Sequence, residues 1–393
     1  MNKRMSGDSM GGTTRRAAVG GLVALGVSPF AAAQHNAQLT DELLDFAPRG
    51  RPPAGYAPAY AAIVRAAEDE GRLVIYSTTD LAVVQPLIDD FRSLYPRIAV
   101  EYEDLTSTEL HHRFVAETQL GRDSADVLWS SAMDLQVSLV EQDHALAYAS
   151  PEGASLPDWA RLRDQAWATT FEPIVMAYNK KLVPRPPRTH ADLAALLERT
   201  PALKGKVITY DVEKSGLGFL LAAQDARATP AFWDVARALG RADVRFAATT
   251  STMLGRVASG REAIAYNVLG AYALAQARRN PDIGVVFPED YTLVLSRLQL
   301  IARRAARPNA ARLWLDHTLS QRGQTLIERQ GIYAMRADVK GAATAAQLSR
   351  QLGATLRPIQ PDADLTHDLQ PDAYRAFIRR WRDALGQPLR RAA

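Results

Sequence analysis

Apolar residues along this chain follow two rhythms, and the switch from one to the other recurs. Leu73-Val74-Ile75-Tyr76 is a run long enough for a strand buried on both faces and too short for a helix. Leu81, Val84, Ile88, Phe91 and Tyr95 then recur at three- and four-residue steps, the period of an amphipathic helix, with Pro86 inside the pattern predicting a late start or a kink. Ser77, Thr78, Thr79 and Asp80 lie between the two. At such a strand-to-helix junction the free N–H groups and the positive helix end favour anionic groups, and hydroxyls add donors; the same four residues would also serve as plain helix caps.

The unit repeats twice. Residues 98 to 103 alternate as a second strand, and Thr106-Ser107-Thr108-Glu109 caps a helix containing Leu110, Phe114 and Val115. Asp126-Val127-Leu128-Trp129 is a third strand, followed at once by Ser130 and Ser131. Ligands of open α/β sheets bind beyond the carboxyl ends of the strands, so the three hydroxyl-bearing turns should converge on one cleft. After a linker with Pro151, Gly153 and Pro157, residues 169 to 179 are apolar and extended around Glu172-Pro173; proline is poorly tolerated in a central strand, so a crossing between lobes is expected here.

A second sheet should start with Val207-Ile208-Thr209-Tyr210, and Ser215-Gly216 opens a helix that presents its N-terminus from the opposite wall. Thr249-Thr250-Ser251 precede another helix, and residues 262 to 267 read as a strand whose Tyr266-Asn267 end echoes Tyr178-Asn179. That echo places a second crossing near residues 264 to 285, with a strand at 283 to 288 returning the chain. A final amphipathic helix runs through Tyr374, Phe377, Ile378 and Trp381.

Charge and composition narrow the class. Lys3, Arg4, Arg15 and Arg16 precede an apolar run from Ala17 to Phe30 and the small residues Ala31-Ala32-Ala33, an export signal of Sec or Tat type cleaved after about Ala33. The chain's formal charge is +4, most of it in that segment, which leaves the mature protein near neutral. No Lys/Arg run interleaved with aromatics suggests a nucleic-acid surface. Cysteine is absent, which excludes thiolate ligands, thiol nucleophiles and disulfides. The length suits two lobes: signal 1–33, N-terminal arm and short helix 34–70, lobe 1 at 71–172, lobe 2 at 173–281, a return segment 282–345 and a C-terminal tail 346–393.

Glu70-Gly71-Arg72-Leu73-Val74-Ile75-Tyr76-Ser77, Ala125-Asp126-Val127-Leu128, Tyr178-Asn179 and Pro308-Asn309-Ala310-Ala311 with Gly323-Gln324 resemble, in order and spacing, the extracellular solute-binding proteins of bacterial ABC importers, in the branch of ferric-ion, sugar-phosphate and phosphoglycerate receptors. The resemblance spans about residues 60 to 340. It implies a type II periplasmic-binding-protein fold of α/β class: two lobes, each an open, mostly parallel sheet flanked by helices, joined by a strand hinge. It also implies a periplasmic monomer without cofactor, closing on a solute and delivering it to a membrane permease, or to a sensor kinase that reads the same closed form.

Two ligand classes stay open. Ferric receptors of the branch carry an adjacent Tyr-Tyr pair; here Tyr266-Asn267 stands in that place, which leaves Tyr210, Tyr266 and Tyr272 as the available phenols. Hydroxyl-rich helix starts favour instead an organophosphate, phosphonate or carboxylate, bound by neutral donors. The expected ligand set is Ser77, Thr78, Thr79, Asp80, Ser107, Ser130, Ser131, Glu172, Ser215, Gly216, Tyr266 and Asn267, with Lys214, Arg245 and Arg256 as candidate counter-charges. An exported enzyme is the competing class; past the expected export signal, which holds the one Gly-x-Ser-x-Gly run at Gly7-Asp8-Ser9-Met10-Gly11, neither that motif nor a Walker loop nor His-Glu-x-x-His is present.

Overall fold

The computed structural model describes residues 52 to 387; the expected export signal and the first part of the arm lie outside them. Helix α1 (Ala61–Glu70) leads into β1 (Arg72–Ser77), α2 (Leu81–Leu94), β2 (Ala99–Asp104), α3 (Ser107–Gln119), β3 (Val127–Ser130) and α4 (Met133–Glu141). Both β2 and β3 pair with β1 in parallel, so all three carboxyl ends point the same way. Five of the six β1 residues are buried, as its unbroken apolar run requires, whereas the edge strand β2 is half exposed. Pro86 sits inside α2, where the helix forgoes one backbone bond and still runs from Leu81.

The chain continues through β4 (Arg161–Leu162), β5 (Ala166–Ala168), β6 (Glu172–Asn179), α5 (His190–Arg199), β7 (Val207–Tyr210), α6 (Gly216–Ala228), α7 (Phe232–Arg241), β8 (Arg245–Ala247), α8 (Thr250–Ala258), β9 (Ile264–Leu269) and α9 (Gly270–Arg279). It ends with β10 (Ile283–Val286), β11 (Thr292–Leu295), β12 (Leu298–Ile301), α10 (Pro308–Leu319), α11 (Gln321–Arg329), α12 (Ala345–Leu352), β13 (Leu356–Pro358) and α13 (Pro371–Ala384). One sheet has the order β2-β1-β3-β12-β5-β4; the other runs β13-β11-β6-β9-β7-β8, with β10 also on β6. Each sheet is mixed: a parallel trio, β2-β1-β3 or β9-β7-β8, is extended by antiparallel strands.

The first crossing between sheets lies at residues 169 to 171, between β5 and β6, inside the segment expected to cross. Pro173 stands at the start of β6, where a missing donor is tolerated. The second lies elsewhere than expected. Strand β10 pairs antiparallel with β6, so residues 264 to 285 stay with the second sheet and its helices; the chain crosses at Ser296-Arg297 between β11 and β12, and crosses a third time between β12 and β13. The C-terminal region is likewise no tail: β13 pairs with β11, and Trp381 of α13 is buried, stacked 6.0 Å from Phe232. Apolar burial of that aromatic face is what attaches the last helix to the second lobe.

Candidate functional site

The carboxyl ends of β1, β2 and β3 face the second lobe across a cavity of about 180 Å³. From lobe 1 it is lined by Thr78, Asp80, Asp104, Leu105, Thr106, Ser107, Glu109 and Ser131, and from lobe 2 by Tyr210, Leu217, Ala248, Thr249, Thr250, Ser251, Leu269 and Tyr272. Local turn chemistry sets these positions. The Thr78 N–H donates to the Trp129 carbonyl at the end of β3 (3.0 Å), and its hydroxyl accepts the Ser131 N–H (3.0 Å), so the first and third turns are fastened together. The second turn is a capping box: Thr106 Oγ1 accepts the Glu109 N–H at 3.3 Å while Glu109 Oε2 accepts the Thr106 N–H at 3.0 Å. In lobe 2, Thr249 caps α8 through the Thr252 N–H at 3.2 Å. Helices α3 and α8 thus start at the cavity from opposite lobes, and the N–H groups of their first turns have no intrahelical acceptor.

Hydrogen bonds cross from one lobe to the other, so the structure is closed. Ser251 Oγ donates to Asp80 Oδ2 (2.8 Å), and the Asp80 N–H donates to the Tyr272 hydroxyl (3.3 Å). At the start of α6, the Gly216 N–H donates to Thr108 Oγ1 (3.0 Å) and the Leu217 N–H to Ser107 Oγ (3.1 Å). Gly216 suits this approach: a Cβ there would lie 2.6 Å from Leu135 Cδ1, which would have to swing aside, and 3.2 Å from Ser107 Oγ. A second inter-lobe cavity of about 340 Å³ flanks the same contact, lined by His111, His112, Asp134, Glu213, Ser215 and Gly216 among others.

The cleft lining holds three carboxylates and neither lysine nor arginine. Burial raises the Asp104 carboxyl above its ordinary range, and the Asp80 charge adds to the rise against the Leu81 N–H that Asp104 accepts. The Thr106 hydroxyl and N–H hold Glu109 below its ordinary range. The Arg297 guanidinium lies behind the cleft floor and donates to Thr78 O (3.2 Å) and Thr79 Oγ1 (2.9 Å).

Of the twelve residues singled out by sequence, Thr78, Asp80, Ser107 and Ser131 line this cavity, and Ser215 and Gly216 line its neighbour. The others are occupied elsewhere. Ser77 and Ser130 accept N–H groups inside their own turns, Thr79 and Glu172 bind Arg297, and Tyr266 and Asn267 both donate to the buried Asp225. Asn267 adopts a left-handed conformation (φ 60°) beside the irregular β6–β9 pairing, which turns its side chain into lobe 2. Of the three phenols, Tyr272 and Tyr210 line the cleft, the latter bonded to Thr250 at 2.5 Å, while Tyr266 is bonded to Asp225. The candidate cations Lys214, Arg245 and Arg256 pair with Asp211, Asp243 and Glu262 away from the cleft lining. Asp104, Glu109 and Thr249 to Ser251 were not singled out from the sequence.

The sequence pattern of the family described as bacterial extracellular solute-binding protein matches residues 86 to 349. The chain belongs to that family. Among solved structures, this solute-binding protein is similar to the substrate-binding protein of an ABC transporter from Agrobacterium tumefaciens, at 40% identity and TM-score 0.77, covering 80% of this chain and 94% of that one. More distant likenesses include the periplasmic binding protein AfuA from Actinobacillus pleuropneumoniae with fructose-6-phosphate bound (19% identity, TM-score 0.68, 81% and 99% covered). The apo ferric ion-binding protein A from Pasteurella haemolytica is similar at 17% identity and TM-score 0.63, with 80% and 99% covered. These last two share the fold. No curated protein matches the chain.

Proposed function

We propose that this solute-binding protein is the periplasmic component of an ABC importer, capturing a small, hydroxyl-bearing organic anion in the inter-lobe cleft and delivering it to an inner-membrane permease. The observation that carries the ligand class is the make-up of the cleft. Hydroxyls and two opposed helix starts offer uncharged donors to a phosphate, phosphonate or carboxylate group, while Asp80, Asp104 and Glu109 offer acceptors to hydroxyls on the rest of the molecule. A bare anion would meet those carboxylates with no lining cation to offset them. Donors from both walls reach the solute together only in the closed form, so binding shifts the open–closed population. The importer role is supported by the Agrobacterium neighbour, which is described as part of an ABC transporter.

Ferric ion is the second reading, favoured by the ferric-binding structural neighbours. Burial raises Tyr210, Tyr266 and Tyr272 away from the phenolate form, and Tyr266 is committed to Asp225, which supports the organic anion over iron. Native mass spectrometry of protein purified from its own periplasm, followed by denaturation, tests the choice. A released organic phosphate, phosphonate or carboxylate is expected; stoichiometric iron overturns the ligand class.

A further inference from the structure

We propose that Arg297 is a positioning residue that couples the hinge to the binding loop, so that lobe closure and the placement of the Thr78 hydroxyl are one movement. The inference rests on the cleft being the solute site. Two of the three passages of the chain between the sheets, β5 to β6 and β11 to β12, meet at this residue. The Arg297 N–H donates to Thr170 Oγ1, and its carbonyl accepts both the N–H and the hydroxyl of Thr169, each at 2.9 Å. Its guanidinium forks onto Glu172 of the first crossing, Nε to Oε1 at 2.7 Å and Nη2 to Oε2 at 3.3 Å, while Thr170 donates to the same Oε1 at 2.9 Å. The remaining nitrogen reaches forward to Thr78 O and Thr79 Oγ1 beneath the cleft floor. From lobe 2, the Tyr272 ring faces the guanidinium with 5.6 Å to its centroid, and the Tyr272 hydroxyl takes the Asp80 N–H.

Stability alone is a poor reason for this arrangement. Arg297 and Glu172 are both 0% exposed, and removing two charges from water costs about as much as, or more than, their attraction returns, so an apolar pair of similar volume would hold the core equally well. An arginine fork, however, fixes distances and angles among three segments that no aliphatic pair could register. Closure alters backbone angles in residues 169 to 172 and 295 to 297, and the fork hands that change to Thr78, whose hydroxyl meets Ser131 on the cleft wall.

The chain lacks cysteine, so Leu120→Cys on lobe 1 and Leu182→Cys on lobe 2, 65% and 45% exposed, accept spin labels at known places. Pulsed electron spin resonance then reads the inter-lobe distance without added solute. In the labelled protein carrying Arg297→Met with Glu172→Met, the closed-to-open ratio is expected to change by about fivefold or more, with cooperative unfolding retained. The same substitutions at the Arg307–Asp126 pair, which lies within lobe 1, should lower stability and leave the distance distribution as in the parent. If the hinge pair fails to fold as Met–Met, Arg297→Lys supplies the comparison, since it keeps the charge and loses the fork. A parent-like distribution in either folded hinge variant overturns the proposal. Because the labelled protein is first stripped of bound solute and none is added, that failure is distinct from a failure of the ligand class, which released-ligand mass spectrometry reads.

Discussion

Lobe 1 presents Asp80, Asp104 and Glu109 to the cleft among its hydroxyls, whereas lobe 2 presents Tyr210, Thr249, Thr250, Ser251 and Tyr272 and no charged side chain at all. Both walls are made in the same way, from turns that start helices, yet one is rich in acceptors and the other in neutral donors. When the lobes close on each other the two kinds pair directly, as Ser251 and Asp80 do. A bound solute would interpose itself in that pairing, turning its hydroxyls to lobe 1 and its anionic group to the start of α8. On the proposed function, the asymmetry gives the ligand an orientation as well as a site.

The sharpest way to break the comparison is to keep the walls apart. Gly216 is one of the places where they touch, and its missing side chain leaves the space that contact uses. Gly216→Leu is expected to weaken binding of the solute released from the native protein by about 100-fold, or ~2.7 kcal/mol, with thermal unfolding near that of the parent. Isothermal titration beside a melting curve checks both halves. Unchanged affinity would mean that the solute is held by one wall alone.

The acidity of lobe 1 extends past Gly216 to Asp134, on the second inter-lobe cavity opposite Val212, Phe219 and Tyr374. Burial pushes its carboxyl up to about 7, against the lowering effect of the Leu135 N–H at 2.9 Å. The native state thus keeps a proton that the unfolded chain, with an ordinary aspartate near ~3.9, has released. This group's contribution is most favourable at acid pH and is lost as pH rises from about 4 towards 7. Asp134→Asn should remove that loss, so that the drop in unfolding free energy between pH 5 and pH 8 shrinks by about 2 kcal/mol in denaturant titrations. An unaltered pH profile would show that Asp134 stays ionised in the folded protein.

The difference between the walls also explains what could be read from the sequence. Lobe 1 was legible because β1 carries an unbroken apolar run and three strand-to-helix turns follow the same pattern; four of the residues so singled out line the cleft. Lobe 2's share was visible as Tyr210 and Tyr272, named as phenols for the alternative ferric ligand, and as Thr249-Thr250-Ser251 before a helix, indistinguishable from any cap until the fold placed it opposite Asp80. Tyr266 and Asn267 stood out by their echo of Tyr178-Asn179, but the left-handed turn at Asn267 takes them to Asp225, and nothing local in the sequence announces that turn. The second crossing was missed for a related reason. Residues 291 to 302 form one long apolar stretch, and Ser296-Arg297 in its middle is the break between two strands in different sheets. A buried-looking run interrupted by one arginine was the available signal.

A milder cut leaves both walls in place and removes a single cross-cleft bond. Ser251→Ala deletes the hydroxyl that meets Asp80, an exposed-side hydrogen bond to a charged group. If the solute replaces that bond without binding Ser251, the free protein loses more than the complex, and affinity holds or rises. If Ser251 also binds the anionic group, affinity falls about fivefold, ~1 kcal/mol, the ordinary worth of one such bond. The orientation argued above requires the second outcome in calorimetric titration; an affinity equal to the parent's would place the anionic group elsewhere on the wall.

Tyr272→Phe makes the smallest change, because the ring stays over Arg297 and only the 3.3 Å bond from the Asp80 N–H is lost. That bond is long and its donor is a neutral amide, so the expected effect on affinity is about twofold, a few tenths of a kcal/mol. The same variant separates the two ligand classes. A phenolate ligand to iron would be indispensable, and its removal would cost orders of magnitude in metal affinity, whereas a hydroxyl that only completes the lobe 2 wall is nearly dispensable. Solute and iron titrations run side by side on this one protein therefore ask whether lobe 2's neutrality is its working property or a consequence of protonated tyrosines awaiting a metal.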